Sequence, residues 1–216
     1  MEIRNIIFDF DGTLMDTAPV ILATMYATIN EMGLPSRTEE QCRATIGMRL
    51  EDIPEKLFPD NPGISDTYAA TYRRLFTQEN KPGIATPFPG VIDTLRRLHS
   101  LGYPMAVASS RNHSSLQNFV DDLKLNDVFG MLIAGDDVTE AKPAPEPVLT
   151  VCRDMGWQTS DSLVVGDATY DILMGSNAGA QTCAVTYGNQ SREQLLSVSP
   201  DFIIDSFPQL LNILKR

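Results

Sequence analysis

The chain has 216 residues, 43% of them hydrophobic, with a formal net charge of −11 and a pI near 4.5. That length suits one large domain, or one domain with a modest insertion, and the hydrophobic share supports a real core. The acidity argues against a nucleic-acid-binding surface, which needs basic patches to neutralise phosphates, and no apolar run approaches the ~20 residues of a membrane span. Three scattered cysteines, Cys42, Cys152 and Cys183, form no metal-binding pattern and are expected to be buried small hydrophobes. The first residues lack the basic-then-apolar order of a secretion signal, so a reduced cytoplasmic setting is expected.

Ile3-Arg4-Asn5-Ile6-Ile7-Phe8 is a short run rich in β-branched and aromatic residues, as in a buried parallel strand. It leads directly into Asp9-Phe10-Asp11-Gly12-Thr13, whose glycine lets the backbone turn sharply. Asp16-Thr17-Ala18-Pro19 has the composition of a helix start, a capping side chain followed by proline in the first turn. That helix is predicted to run to about Met32 and stop at Gly33. Shorter helices are predicted over 37–46, 50–58 and 65–79, each set off by Gly, Pro or Asn. No strand-like alternation occurs from Thr17 to Asn80, which points to a small all-helical insertion.

The stretch 81–90, dense in proline and glycine, is the expected return linker. From there helices (91–101, 113–123, 146–155, 171–178 and 207–214) alternate with strands (104–108, 131–134, 163–165, 182–185 and 202–204). Such alternation predicts crossover units and a doubly wound, Rossmann-like parallel sheet. The expected division is a core of 1–16 and 81–216 with a helical unit over 17–80.

In such sheets ligands bind outside the carboxyl ends of the strands. Asp9 and Asp11 follow the first strand; one can serve as metal ligand and nucleophile, the other as proton carrier. Ser109-Ser110 follow the strand over 104–108, where a hydroxyl and free N–H groups can hold a phosphate oxygen. Lys142 stands before the alternating prolines of Pro143-Ala144-Pro145, a stiff frame for a cation aimed at an anion. Asp167 ends the strand over 163–165, and Asp171 lies four residues on. That spacing returns both carboxylates to one face, where they could hold a hard cation such as Mg²⁺. Each signal alone also fits a structural role: a helix cap, a solvated lysine, an acid at a helix N-terminus. Their coincidence at four strand ends points to one phosphate-and-metal site.

This order and spacing resembles the haloacid dehalogenase superfamily of phosphotransferases. Asp9-Phe10-Asp11-Gly12-Thr13 corresponds to its first motif, Ser109-Ser110 to the second, Lys142 to the third, and Gly166-Asp167 with Asp171 to the fourth. An insertion directly after the first motif resembles the subclass with a small helical cap. Asp16-Thr17-Ala18-Pro19 and Phe88-Pro89-Gly90-Val91 are similar to segments of phosphoglycolate phosphatases and their near relatives. The resemblance implies a Mg²⁺-dependent phosphatase acting on a small phosphorylated metabolite. Asp9 would take the phosphoryl group and Asp11 would act as acid/base. Mg²⁺ would sit on Asp9, the Asp11 carbonyl and Asp167, with Asp171 close by. Ser109, Ser110 and Lys142 would hold phosphoryl oxygens, with Ser110 offering mainly its backbone N–H.

Gly47, Met48 and Arg49, between two predicted cap helices, are the candidate specificity residues. Arg49 could meet a substrate carboxylate or second phosphate. A dehalogenase of this fold would not keep an acid at Asp11. A response-regulator-like module would lack both that acid and so large an insertion. A β-phosphoglucomutase-like mutase shares the core and remains the alternative, although no histidine follows Asp16-Thr17, where such mutases usually carry one. The oligomeric state is open between monomer and weak dimer.

Overall fold

A computed structural model describes residues 2–79 and 83–214. The chain opens with β1 (Asn5–Phe8) and a two-residue strand β2 (Met15–Asp16). Four helices follow: α1 (Ala18–Glu31), α2 (Glu39–Arg43), α3 (Ile53–Leu57) and α4 (Ser65–Glu79). After β3 (Thr86–Pro87) come α5 (Val91–Ser100), β4 (Met105–Ala108), α6 (His113–Asp122), β5 (Met131–Ile133) and α7 (Glu146–Met155). The last third holds β6 (Ser162–Gly166), α8 (Thr169–Asn177), β7 (Gln181–Val185), α9 (Arg192–Leu196), β8 (Phe202–Ile204) and α10 (Leu210–Ile213).

Six strands form one parallel sheet in the order β5-β4-β1-β6-β7-β8. β1 therefore lies between β4 and β6, and the strand order reverses beside it, the place where open α/β sheets bind ligands. Side-chain alternation along β1 explains why both faces must be covered. Ile6 and Phe8 enter one hydrophobic layer with Val107, Val165, Leu95 and Leu116, whereas Ile7 enters the opposite layer with Val164, Val148 and Met174. All three cysteines are free and buried.

The all-helical insertion carries its own small core. Leu22, Met25 and Ile29 of α1 pack with Cys42, Ile53, Phe58 and Tyr68. The predicted 65–79 helix matches α4 in full, while the 37–46 helix shortens to α2, which Thr38 starts with a reciprocal bond to Gln41. Thr17 precedes α1 but makes no capping bond there, contrary to expectation, because its hydroxyl is engaged by Asp11 at 2.5 Å. The chain's exit at β2 and its re-entry at β3 pair antiparallel, Met15 opposite Pro87 and Asp16 opposite Thr86. The two crossings between sheet and insertion are thus clasped side by side. The carboxyl boundary expected at Asn80–Lys81 lies outside the described residues. Among those residues, no helix is long and apolar enough to cross a membrane.

Candidate active site

The four strand-end signals meet at the carboxyl edge of the sheet. Asp9 leaves β1, and its backbone N–H is still bonded to the carbonyl of Val165 on the neighbouring strand (2.8 Å). Gly12 turns the chain at φ +90°, and a Cβ there would stand 2.1 Å from Asp167 Oδ2, so only glycine lets this loop lie against the fourth motif. Gly166 plays the matching part at the end of β6, where an added Cβ would fall 2.2 Å from that of Asp171.

Lys142 Nζ donates to Asp9 Oδ1 at 2.6 Å and to Asp171 Oδ1 at 2.7 Å, with all three side chains buried. Asp171 Oδ2 accepts the N–H of Ala168 (3.0 Å), which fixes its carboxylate at the start of α8. Asp167 Oδ2 accepts the backbone and side-chain N–H groups of Asn189 (2.6 and 2.9 Å), and Oδ1 lies 3.4 Å from the Thr13 hydroxyl. Oxygens of Asp9, Asp167 and Asp171 all lie within 4.8 Å of one another.

This cluster holds three carboxylates against a single ammonium, which leaves two negative charges uncompensated. Burial and Asp171 push the Asp9 carboxyl up to about 7, against the pull of Lys142. Burial, with Asp9 and Asp171 adding to it, holds Asp167 well above the usual carboxylate range. Burial works against the Lys142 charge, but Asp171 and Asp9 more than offset it and keep the ammonium above its ordinary value. Asp9 Oδ2 is buried without a hydrogen-bond partner. Two missing positive charges and an unpartnered carboxylate oxygen fit a divalent cation with oxygen ligands.

Asp11 lies apart from this cluster. Its Oδ1 accepts from Arg111 Nε (2.9 Å), Arg111 Nη2 (2.6 Å) and the Thr17 hydroxyl. Ser109, buried at the end of β4, takes the N–H of Arg111 on its hydroxyl at 3.2 Å. The Ser110 hydroxyl donates to the Gly47 carbonyl of the insertion at 2.7 Å, which leaves its backbone N–H as the group expected to serve a phosphate. A cavity of about 420 Å³ opens between sheet and insertion, lined by Asp9, Asp11, Ser110 and Arg111 from below and by Gly47, Met48 and Arg49 from above. Arg49 stands 3.6 Å from Glu51, which Arg73 of α4 also engages. Ser109, Lys142, Asp167 and Asp171 do not line that cavity directly; Lys142, Asp167 and Asp171 cluster with Asp9.

Sequence reading missed Arg111, Asn189 and the role of Thr17. Asn189 follows β7, and the rule that points to Asp167, that ligands gather at the carboxyl ends of the strands, applies there too. Arg111 stands immediately after Ser109-Ser110, but a lone arginine in a loop carries no pattern.

The model of the family described as haloacid dehalogenase-like hydrolase matches residues 6–185. Pyrophosphatase PpaX of Anoxybacillus flavithermus is 32% identical, over 99% of this chain and 98% of its own length. Phosphoglycolate phosphatase of Vibrio vulnificus is 30% identical, over 98% and 96%. In fold, the chain is similar to a haloacid dehalogenase-like family protein from Streptococcus pneumoniae, with a TM-score of 0.87 at 24% identity over 99% of both chains. The family match takes in every strand-end acid from Asp9 to Asp171, and with their shared geometry it leads to one placement: the chain belongs to the haloacid dehalogenase-like hydrolases, as a phosphoric monoester hydrolase with a small helical insertion.

Proposed function

We propose that this enzyme is a Mg²⁺-dependent phosphatase that hydrolyses a small phosphorylated metabolite through an aspartyl phosphate, in the manner of phosphoglycolate phosphatases. The observation that carries the reading is the charge balance around Asp9. A buried carboxylate with one oxygen on Lys142 and the other unpartnered, in a cluster lacking two positive charges, suits a metal-assisted nucleophile. Mg²⁺, on Asp9, Asp167 and the Asp11 carbonyl with Asp171 alongside, would supply positive charge for the phosphoryl oxygens.

The chain's own groups account for the remaining steps. Asp9 attacks phosphorus, the bond from phosphorus to the leaving oxygen breaks, and Asp11 gives that oxygen its proton. Asp11 then takes a proton from water as the water attacks the aspartyl phosphate, which releases phosphate and restores Asp9. Lys142 favours the ionised form of Asp9 and holds it in place for attack, and Ser109 with the Ser110 N–H offers donors to the phosphoryl group.

Residues 17–80 act as a cap on the core of 1–16 and 81–216, a reading supported by the antiparallel pairing of β2 with β3, which joins the chain's exit from the core to its re-entry. Gly47, Met48 and Arg49 face the substrate's non-transferring end. Phosphoglycolate and pyrophosphate, named for the two relatives above, each carry a second acidic group, and the Arg49–Glu51–Arg73 set offers one net positive charge for it. The test is phosphate release from p-nitrophenyl phosphate and a panel of small phosphorylated metabolites, with and without EDTA. Activity should vanish with the chelator and return with Mg²⁺. Full turnover in a metal-free preparation would exclude the reading.

A further inference from the structure

We propose that Arg111 is a positioning residue for Asp11, holding one carboxylate oxygen so that the other is presented to the leaving group. The inference rests on the reading of Asp11 as the acid/base. Among the described residues, the hydrogen bonds to the Asp11 carboxylate, two from Arg111 and one from Thr17, all fall on Oδ1. Oδ2 is thereby left uncommitted, on a residue that lines the cavity.

Arg111 is itself held on every side. Its Nη1 donates to Ser115 Oγ of α6 at 3.0 Å. Its guanidinium carbon lies 4.7 Å from the ring centre of Phe119, 5.2 Å from Phe76 and 5.9 Å from Phe10. The side chain is 9% exposed. A cation bound by two donors to one carboxylate and walled by three rings is arranged to fix that carboxylate, not to reach for a diffusing anion. Proton transfer demands a donor within hydrogen-bond reach of the leaving oxygen, so a freely rotating Asp11 would lose rate. Phe76 belongs to α4 of the insertion while Phe10 and Phe119 belong to the core, so the setting of Arg111 is complete only with the insertion seated.

Phenyl phosphate and p-nitrophenyl phosphate provide the test. Neither carries a second anion, and phenol is the far less acidic leaving group, so its departure depends more on a well-placed acid. Single-turnover rates of phenol release are to be measured for wild type, Arg111→Ala, Arg111→Lys and Asp11→Asn. Arg111→Ala should slow phenyl phosphate by about 30-fold, part of the 10²–10⁴ that an acid supplies, and p-nitrophenyl phosphate by about threefold at most. Arg111→Lys should recover part of the loss, and Asp11→Asn should show the same split in larger measure. Equal losses on both substrates would make Arg111 a structural residue, and no loss on either would make it a reader of a substrate anion; each overturns the proposal. Arg111→Gln, of similar bulk, carries the comparison if the alanine variant does not fold. If Asp11→Asn shows no split between the two substrates, the acid/base reading of Asp11 fails first, independently of Arg111.

Discussion

Replacing Lys142 with methionine tests the charge balance of the site. The substitution keeps most of the volume of a side chain that is 2% exposed, but removes the ammonium that bridges Asp9 and Asp171. Breaking a buried ion pair by deleting one partner costs about 3–5 kcal/mol. Here the cost should fall at the low end, about 3 kcal/mol, because Asp9 already titrates near 7 and can neutralise itself by taking a proton. At roughly 2–4 °C per kcal/mol for a chain of this size, the metal-free variant should melt about 6–12 °C below wild type. The same proton disables the nucleophile, and the loss of a preorganised cation at the reacting centre adds about 10²–10³ in kcat. Turnover of p-nitrophenyl phosphate at neutral pH should therefore fall about a thousandfold. The residual activity should rise with pH, since only ionised Asp9 attacks. Turnover within tenfold of wild type, or a flat pH profile with an unchanged melting point, would refute this reasoning.

Metal and pH should be linked. An Asp9 carboxyl raised from 3.8 to about 7 binds a proton more tightly in the folded than in the unfolded chain. Metal-free stability should therefore fall as pH rises from about 4 to about 7, by at most about 4 kcal/mol at 1.36 kcal/mol per pH unit. Mg²⁺ competes with that proton, so its stabilising effect in a thermal melt should be small at pH 5 and large at pH 8; an equal effect at both would contradict the site's charge balance. Arg49→Ala should lower kcat/KM for the best doubly anionic metabolite by about tenfold, the low end for a charge-assisted contact of about 1.5–3 kcal/mol, because Arg73 remains beside Glu51. Turnover of p-nitrophenyl phosphate should barely change, and a parallel loss on both substrates would remove Arg49 from specificity.

Legibility in the sequence followed the strength of local patterns. The strands that build the sheet were readable because a strand buried on both faces is a compact apolar run, as in Ile6-Ile7-Phe8 and Leu163-Val164-Val165. Acids directly after such runs are placed at one sheet edge by the strand pattern alone. β2 and β3 were not readable: two residues carry no periodicity, and Pro87 speaks against a strand even though it pairs with Met15. α9 is not readable by periodicity, because five residues between loops are too few to show a helical period. Composition points Thr17 to a helix cap, whereas its hydroxyl serves Asp11, a contact that depends on the Gly12 turn bringing the chain back. Arg111 to Asp11 and Asn189 to Asp167 span 100 and 22 residues, and nothing local encodes such pairs.

Rapid acid quench of labelled enzyme examines the nucleophile itself. Asp11→Asn should still be phosphorylated by ³²P-labelled p-nitrophenyl phosphate, whose leaving group needs little help, but should lack the base that activates water. With Mg²⁺ present, label should accumulate on the peptide containing Asp9 towards one phosphate per chain, and no label should appear when Asp9 is also changed to asparagine. Label on another residue, or phosphate release by Asp11→Asn at the wild-type rate with no labelled protein at any time, would contradict an aspartyl phosphate at Asp9.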